Sequence, residues 1–220
     1  MKKINFYYLF CFLFLVSCST DSIDSESIDE ETNEEILQQA TTAIADAAFE
    51  QALIDLNFDE ELDGQVLNSR IQIIQNLILD ENEISDLTGI AGFRDLENLS
   101  VRNNNLTTID VSLNKKLKFL WCEDNAVSEI DLEGLTILEK VGADRNALST
   151  ITVTDNTALQ LLTLSDNDLS SIDVSTNNAL TDFSITMNPL DCIRVNQNQL
   201  DNIPTDWSKD EMDTYALDCQ

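Results

Sequence analysis

Apolar residues return along the chain at a fixed interval, in a frame of alternating aliphatic and polar positions. The frame reads L-x-x-L-x-L-x-x-N-x-L-x-x-I, and one clear copy spans residues 96–109. Five copies keep a spacing of 21 residues, and one further copy at residues 74–87 stands 22 residues upstream. A repeat of this length predicts a solenoid, because each unit can bury its apolar face only against its neighbours.

Within each copy, the alternating Leu-x-Leu segment predicts a short strand, because alternate side chains of a strand point to the same face. Stacking the copies would set these strands in parallel and bury their aliphatic side chains in one continuous core. An asparagine follows each strand at a predicted tight turn, where its amide can satisfy backbone groups that would otherwise be unpaired. We therefore interpret six asparagines as a buried structural ladder: Asn82, Asn104, Asn125, Asn146, Asn167 and Asn188.

Six copies of one frame in fixed register resemble the repeats of the leucine-rich-repeat family, across residues 74–195. The resemblance implies an α/β repeat solenoid of horseshoe shape, with short parallel strands on its concave side. A second alternating segment follows most of the turns, and Ile109-Asp110-Val111 is one example. Its period of two favours extended or irregular structure over helix on the convex side.

The ends of a solenoid need covering, because a terminal coil exposes its apolar face. Residues 37–73 predict an N-terminal helical cap, in which Asp46 caps a helix that carries Phe49 and Leu53 on one face. This stretch also resembles the N-terminal cap of secreted bacterial members of the family. Residues 196–220 predict a C-terminal cap, because the repeat register breaks after residue 195; its apolar residues are Leu200, Ile203 and Trp207.

The N-terminus has the pattern of a secretory signal, since Lys2 and Lys3 precede an apolar run over residues 6–16. The run leads into Leu-Val-Ser-Cys, which ends at Cys18 and resembles the lipobox of bacterial lipoproteins. The resemblance implies a signal peptide over residues 1–17 and a mature chain anchored by acyl groups on Cys18. The alternative is an ordinary signal peptide with an incidental cysteine. A retained membrane helix is disfavoured, because a span needs ~20 apolar residues.

Residues 18–36 predict an acidic tether, since eight carboxylates and no basic residue lie between Asp21 and Glu35. Acidic residues soon after the lipidated cysteine also resemble an export signal of Gram-negative surface lipoproteins. A plain charged spacer would look the same. We therefore expect an outer-membrane lipoprotein exposed at the cell surface, and a periplasm-facing anchor stays open.

Five cysteines sort by position along the chain. Cys11 leaves with the signal peptide, and Cys18 takes the lipid. Cys122 replaces an inward aliphatic of its coil, which predicts a buried free thiol. That leaves Cys192 and Cys219, which we expect to pair in an oxidising compartment and to tie the tail onto the last coil. The sequence around this pair also resembles the C-terminal cap of related lipoproteins.

Charge limits the partners. The chain holds 41 acidic and 12 basic residues, a formal charge of −29, and loss of Lys2 and Lys3 with the signal peptide would make it −31. So acidic a surface disfavours nucleic acid and anionic lipid headgroups, which need basic patches. We expect a monomer with a neutral or basic partner, in contact with a membrane only through its N-terminal lipid.

The chain has few side chains that are suited to catalysis. The chain has no histidine, which excludes catalytic triads, Cys-His dyads and imidazole zinc ligands. Its five glycines form no phosphate-binding loop. Residues 59–64 offer oxygen ligands and a glycine but lack the spacing of an EF-hand calcium loop, so a solvated turn is the preferred interpretation. We expect no catalytic residues, no cofactor and no metal, and hence no enzyme.

The fixed register predicts which side chains line the concave sheet. One column of outward residues reads Ile78, Ser100, Trp121, Gly142, Thr163 and Ser184, with neighbours ~4.8 Å apart. Trp121 lies between a serine and a glycine, neither of which is tall enough to bury its ring. An exposed tryptophan among aromatic and basic neighbours is typical of an interface hot spot. We define the aromatic patch as Trp121, Phe119, Arg102, Lys140, Leu161 and Glu123.

Two classes of function compete for this patch. Protein–protein interaction or adhesion is the usual role of a concave repeat sheet. Glycan capture would also suit a tryptophan near Asp and Asn side chains. A passive surface-coat component is a third possibility, in which the aromatics merely cover the sheet or a tail shields it.

Overall fold

The computed structural model describes residues 40–219. The predicted signal peptide, the predicted lipidation site at Cys18 and the predicted acidic tether lie outside the described residues, as do the first three residues of the predicted cap. No helix in the described range is long and apolar enough to cross a membrane.

The elements are short and follow one another at repeat intervals. In chain order they are β1 (Thr41–Ala43), α1 (Ala47–Asp55), β2 (Gln65–Leu67), α2 (Asn68–Ile71), β3 (Asn76–Ile78), β4 (Asn98–Ser100), β5 (Thr108–Asp110), β6 (Phe119–Trp121), β7 (Glu129–Asp131), β8 (Lys140–Gly142), β9 (Leu161–Thr163), β10 (Ser171–Asp173), β11 (Asp182–Ser184), β12 (Cys192–Arg194), α3 (Gln197–Asp201), β13 (Trp207–Ser208) and β14 (Tyr215–Ala216), with a 3-10 turn at Ile90–Gly92.

The concave sheet has seven parallel strands in the order β3-β4-β6-β8-β9-β11-β13. The central residue of each repeat strand points inward and is at most 1% exposed: Leu77, Leu99, Leu120, Val141, Leu162 and Phe183. These side chains form one hydrophobic cluster that runs the length of the solenoid. The prediction of a parallel-strand leucine-rich-repeat solenoid is therefore confirmed. Among the described residues, α-helices occur only before β3 and after β12.

The ladder asparagines close the turn after each concave strand. Asn167 is typical: its Oδ1 accepts the N–H of Leu148 at 3.0 Å, and its Nδ2 donates to the carbonyls of Ala143 at 2.9 Å and Leu164 at 3.0 Å. The side chains of all the ladder asparagines except Asn82 thus join their own turn to the preceding coil, and Asn82 bonds only within its own turn. Asn104, Asn167 and Asn188 are buried, whereas the other three are only half-buried, so the ladder is less enclosed than the repeat alone predicts.

The residue before each ladder asparagine adopts a left-handed backbone, with φ between 53° and 61°; these residues are Glu81, Asn103, Asp124, Arg145, Asp166 and Met187. That region costs a non-glycine residue roughly 1 kcal/mol or more. The hydrogen bonds of the next asparagine recur at every such turn and offset this cost. The turn is therefore held by the side chain that follows it.

The convex strands form two separate sheets, β5-β7 and β10-β12-β14. The coil between them forms no strand at residues 150–152. In neighbouring coils Asp131 and Asp173 each accept the backbone N–H two residues later at 2.9 Å, but Thr152 occupies the corresponding position here. Ile151, which the frame predicts to be inward, is only half-buried as a result. A cleft of about 460 Å³ lies between residues 129–133 and residues 150–152 at this point of the convex side.

A second ladder of amide side chains lies under the convex side, and it was not predicted. Asn114, Asn156 and Asn177 are at most 1% exposed, and each donates through Nδ2 to two carbonyls of the preceding coil. Gln199 in α3 ends the ladder by donating to the carbonyls of Val174 and Asn177 at 3.0 and 3.2 Å. The spacing of 21 between Asn156 and Asn177 is the sequence signal that could have revealed it.

Asp46 joins the N-terminal segment to the first repeat. Its Oδ1 accepts the N–H groups of Ala48 and Phe49 and so caps α1, while its Oδ2 accepts both the N–H and the hydroxyl of Ser85, 39 residues away. Burial alone would raise the pKa of Asp46, but the bonds from Ser85, Phe49 and Ala48 outweigh it and hold the pKa below its ordinary value. The ionised carboxylate is thus the form that the fold prefers.

Acid should therefore weaken this junction. Because the folded-state pKa lies below the unfolded value of about 3.9, the contribution of Asp46 is complete above roughly pH 5 and is lost as the pH falls through the folded-state pKa. We expect Asp46→Asn to cost about 1 kcal/mol at pH 7 and progressively less below pH 4. Urea unfolding of both chains from pH 3 to 7 measures this. A difference that stays constant over that range would contradict the assignment.

The C-terminal segment adds one more strand to each side of the solenoid. β13 pairs with β11 in the concave sheet, and β14 pairs with β12 in the convex sheet. Trp207 packs edge-on against Phe183 at 5.2 Å between ring centroids and is 8% exposed. The expected Cys192–Cys219 disulfide is present. The sequence frame ends after Val195, but the strand stacking continues for one coil, because Trp207 supplies the inward side chain that the frame lacks.

Candidate ligand-binding surface on the concave sheet

The predicted columns exist in the register expected. Ser100, Trp121 and Gly142 are paired across β4, β6 and β8, and Phe119, Lys140 and Leu161 are paired across β6, β8 and β9. The structure therefore brings the aromatic patch together on the neighbouring strands β6, β8 and β9 and on the segments that follow β4 and β6. This follows directly from the pleat, because the inward position of each strand is taken by an aliphatic residue.

Trp121 is half-buried, which corrects the expectation of a fully exposed ring. The guanidinium of Arg102 lies 4.7 Å from the centre of the indole and covers part of it. On the other side the indole leans over Gly142, where an added Cβ atom would lie 2.7 Å from Cε3 of Trp121. The missing side chain at Gly142 thus makes room for the indole. The sequence places Gly142 next to Trp121 in one column. A small neighbour was expected to leave the indole uncovered, whereas it gives the indole room to pack down onto the sheet.

Glu123 fixes the position of Arg102. Its Oε2 accepts the Nε–H of Arg102 at 2.7 Å, and the hydrogen bond raises the pKa of the guanidinium. The side chain of Glu123 is 14% exposed and also lies over Gly142. Arg102, Glu123 and the indole therefore form one packed cluster in the middle of the sheet.

Phe119 and Lys140 form a second stack beside the first. The Nζ of Lys140 lies 5.7 Å from the centre of the Phe119 ring. Both side chains are half-buried, and Leu161 continues the apolar strip on β9. A cation above an aromatic face is attracted by the negative quadrupole of the ring. The patch thus holds two cations on two aromatic rings.

Asp144 borders the patch and was not among the predicted site residues. Burial raises its pKa above the ordinary value, although the N–H of Ser165 and the hydroxyl of Thr163 donate to it. Nearby Glu123 raises the pKa further. No signal in the sequence separates this aspartate from the many exposed ones, because its burial depends on the coil that follows.

Beyond the patch, the C-terminal half of the concave sheet carries hydroxyl groups that bond to one another. The Oγ atoms of Ser165 and Ser184 are 2.7 Å apart, and those of Ser184 and Ser208 are 2.9 Å apart. Thr186 donates to Ser165 at 3.1 Å. This half of the surface is therefore polar and flat, in contrast to the patch.

The acidic residues and the free cysteine of the described range form no metal-binding arrangement. No group of three or more Cys, Asp or Glu side chains in residues 40–219 is arranged to hold a metal ion. In the acidic turn at residues 59–64, the backbone N–H groups of Asp63 and Gly64 donate to the buried Glu50. Cys122 is a buried free thiol, and burial raises its pKa.

The repeat frame and the stacked parallel strands together define a leucine-rich-repeat solenoid fold, and the solved structures similar to this chain are leucine-rich-repeat proteins. This chain is similar to the functional domain of InlJ from Listeria monocytogenes, with 26% identity and a TM-score of 0.63 over 71% of this chain and 38% of that one. The InlJ domain includes a cysteine ladder, whereas the described part of this chain holds a single free cysteine, Cys122.

Two other solved structures match this chain at lower similarity. An internalin (inlF) from Listeria monocytogenes is 15% identical, with a TM-score of 0.44 over 82% of this chain and 72% of that one. A leucine-rich-repeat protein of Leptospira interrogans is 16% identical, with a TM-score of 0.48 over 60% of this chain and 41% of that one. This chain thus spans 38% of the InlJ structure it resembles. It matches no protein-family model and no curated protein.

Proposed function

We propose that the chain is a non-enzymatic binding protein whose aromatic patch anchors a protein partner, in an adhesion or recognition role. The observation that carries this is a half-buried Trp121 held between Arg102 and the side-chain gap at Gly142. Aromatic and arginine side chains pre-positioned at the centre of a surface supply most of the binding energy in known interfaces. Leucine-rich-repeat neighbours favour the same general role of an interaction scaffold.

Glycan capture is the second candidate, favoured by hydroxyl and carboxylate groups of Thr163, Ser165 and Asp144 on the two coils that follow Trp121. A sugar ring, however, stacks on an open aromatic face, and the guanidinium of Arg102 already covers part of the indole. A protein partner needs no such open face. We therefore place protein binding first and a passive coat component last.

Replacing Trp121 by alanine should abolish partner binding and leave folding intact, because the half-buried ring makes few core contacts. The matched control is Leu113→Ala, since Leu113 is 69% exposed and lies outside the concave strands. Both variants of the mature chain would be compared with wild type for retention of cell-surface proteins and on a glycan array. Wild-type retention by Trp121→Ala of every partner found would remove the patch from consideration. Trp-dependent signal on the array alone would favour the glycan alternative.

The anchor belongs to the same proposal. A basic end, an apolar run and Leu-Val-Ser-Cys ending at Cys18 support lipidation and an outer-membrane location at the cell surface. Metabolic labelling with a palmitate analogue, which Cys18→Ser should abolish, tests the lipid. Protease treatment of intact cells tests the side of the membrane.

A further inference from the structure

Arg102 keeps most of its donors free. Only Nε is hydrogen-bonded, to Glu123, and no bond within residues 40–219 uses Nη1 or Nη2. The side chain is 36% exposed. Arg145, by contrast, bonds Asp124 through both Nε and Nη2. Arg102 is thus a stacked, immobilised guanidinium whose outer edge points to no partner in the described chain.

Lys140 is the second unpaired cation of the patch. Its Nζ lies above Phe119, and no carboxylate of the described residues lies within 4.0 Å of it. On the neighbouring coil Lys116 and Lys118 are paired with Asp95 and Glu97 at 2.6 and 2.7 Å. Lys115 and Lys209 also have no carboxylate partner, but each donates to a backbone carbonyl, at 3.2 and 3.0 Å, whereas Lys140 donates no hydrogen bond within residues 40–219.

The carboxylates around the patch are already occupied. Asp80 accepts the hydroxyl of Ser100 at 2.6 Å and the N–H of Arg102 at 2.9 Å. Glu123 accepts from Arg102, and Asp144 accepts the N–H of Ser165 at 2.7 Å. Each of these three carboxylates thus already accepts a hydrogen bond, whereas the Nη groups of Arg102 and the Nζ of Lys140 donate none within residues 40–219. A ligand that completes the hydrogen bonding must bring acceptors.

The distribution of charge along the solenoid also favours an anionic group at the patch. Seven of the ten basic residues in the described range fall within residues 94–145, against ten of its 33 acidic residues. The segments on either side carry one and two basic residues against 11 and 12 acidic ones. An anionic group meets least repulsion at this central band, which contains all of the aromatic patch except Leu161. The net charge of the chain still favours a partner that is neutral or basic overall.

We propose that the partner places an acidic side chain, flanked by apolar side chains, on the aromatic patch. This rests on the proposed protein-binding function and adds the chemistry that the site recognises. The carboxylate accepts from the Nη1 and Nη2 edge of Arg102 and from Lys140, and such charge-assisted bonds are about twice as strong as neutral ones. The apolar neighbours cover the exposed parts of Trp121 and Leu161. Glu123 holds the guanidinium in place for the incoming acid.

Three blocked tripeptides serve as probes: Leu-Glu-Leu, Leu-Gln-Leu and Leu-Lys-Leu. The chain has two tryptophans, so a proton–nitrogen NMR spectrum of the mature protein shows two indole N–H signals. That of Trp207 is an internal reference, because its Nε1 donates to the carbonyl of Leu180 and the residue is 8% exposed. We expect Leu-Glu-Leu to shift the Trp121 signal with at least fivefold tighter binding than Leu-Gln-Leu, and Leu-Lys-Leu to bind no tighter than Leu-Gln-Leu.

Two variants assign the effect. Lys140→Gln and Arg102→Gln should each reduce the preference for glutamate over glutamine to below twofold, whatever their effect on the weak binding of Leu-Gln-Leu. Arg194→Gln on the convex strand β12 is the matched control and should keep the full preference. An unchanged Trp207 signal shows that each variant is folded. If one of the two fails to fold, the other still decides.

The proposal is overturned if Leu-Lys-Leu is preferred, if glutamate and glutamine bind alike, or if the preference survives both substitutions. It is also overturned if Leu-Glu-Leu leaves the Trp121 signal in place up to its solubility limit, or if neutral maltose shifts that signal more than any tripeptide. The broader function fails on a different result, the retention of a natural partner by Trp121→Ala. The two failures are therefore distinguishable.

Discussion

Glu50→Ala is expected to lower the free energy of unfolding by about 3 kcal/mol. From the sequence alone, a glutamate in this helix would be expected to face solvent. The residue is 3% exposed. Its Oε1 accepts the backbone N–H groups of Asp63, Gly64 and Gln65 at 2.9, 2.6 and 3.1 Å. Removal of the carboxylate leaves three partly buried amides without a partner, and the turn that leads into β2 loses its support.

Urea unfolding measures the effect, with Glu61→Ala as the matched control. Glu61 is exposed in the same turn and takes part in none of the side-chain hydrogen bonds of the described chain, so we expect a change below about 0.5 kcal/mol. Glu50→Gln keeps an acceptor but loses the charge, and should fall between the two. A loss no larger for Glu50→Ala than for Glu61→Ala would show that water replaces the carboxylate at no cost.

The role of Glu50 illustrates a limit of reasoning from sequence. The helix α1 and its cap at Asp46 are local features, and the apolar face of residues 49–53 predicts them. The contact of Glu50 with Gly64 spans 14 residues and depends on how the turn folds back. A buried carboxylate that accepts backbone N–H groups has no local signature, because the same residue type is common on helix surfaces.

For the concave site, the sequence predicts which residues are neighbours but not how their side chains are oriented. The interval of 21 residues fixed the register, so the neighbours of Trp121 follow from counting. The orientation of the indole does not, because it depends on the free space at Gly142 and on the stacking of Arg102. A column predicts which side chains are adjacent, whereas their rotamers depend on packing.

On the convex side, the repeat frame predicts the burial of Ile151 incorrectly. The frame treats Ile151 like the equivalent isoleucines of other coils, yet Ile109 is 2% exposed and Ile151 is only half-buried. The difference arises at the next residue, where Thr152 stands in place of an aspartate. Apolar periodicity locates a strand, but the turn that ends it needs its own hydrogen-bonding side chain.

Asn167→Ala should cost about 4 kcal/mol, the larger of the two effects on stability. The substitution removes four hydrogen bonds, to Leu148, Ala143, Leu164 and Ser165, in a region where Asn167 itself is 7% exposed. Leu148 is fully buried, so its N–H has no access to water in exchange. The preceding Asp166, with φ at 60°, would also lose the bonds that hold its left-handed turn.

Asn105→Ala is the matched control, because Asn105 is an exposed asparagine whose Nδ2 donates to the carbonyl of Glu83 at 3.1 Å. We expect it to cost less than about 0.5 kcal/mol in the same urea titration. Because Asn167 joins two coils, Asn167→Ala should also weaken the coupling between repeats and broaden the unfolding transition. Equal losses for the two variants would mean that the turns are held by the aliphatic core alone, with the amide ladder contributing little.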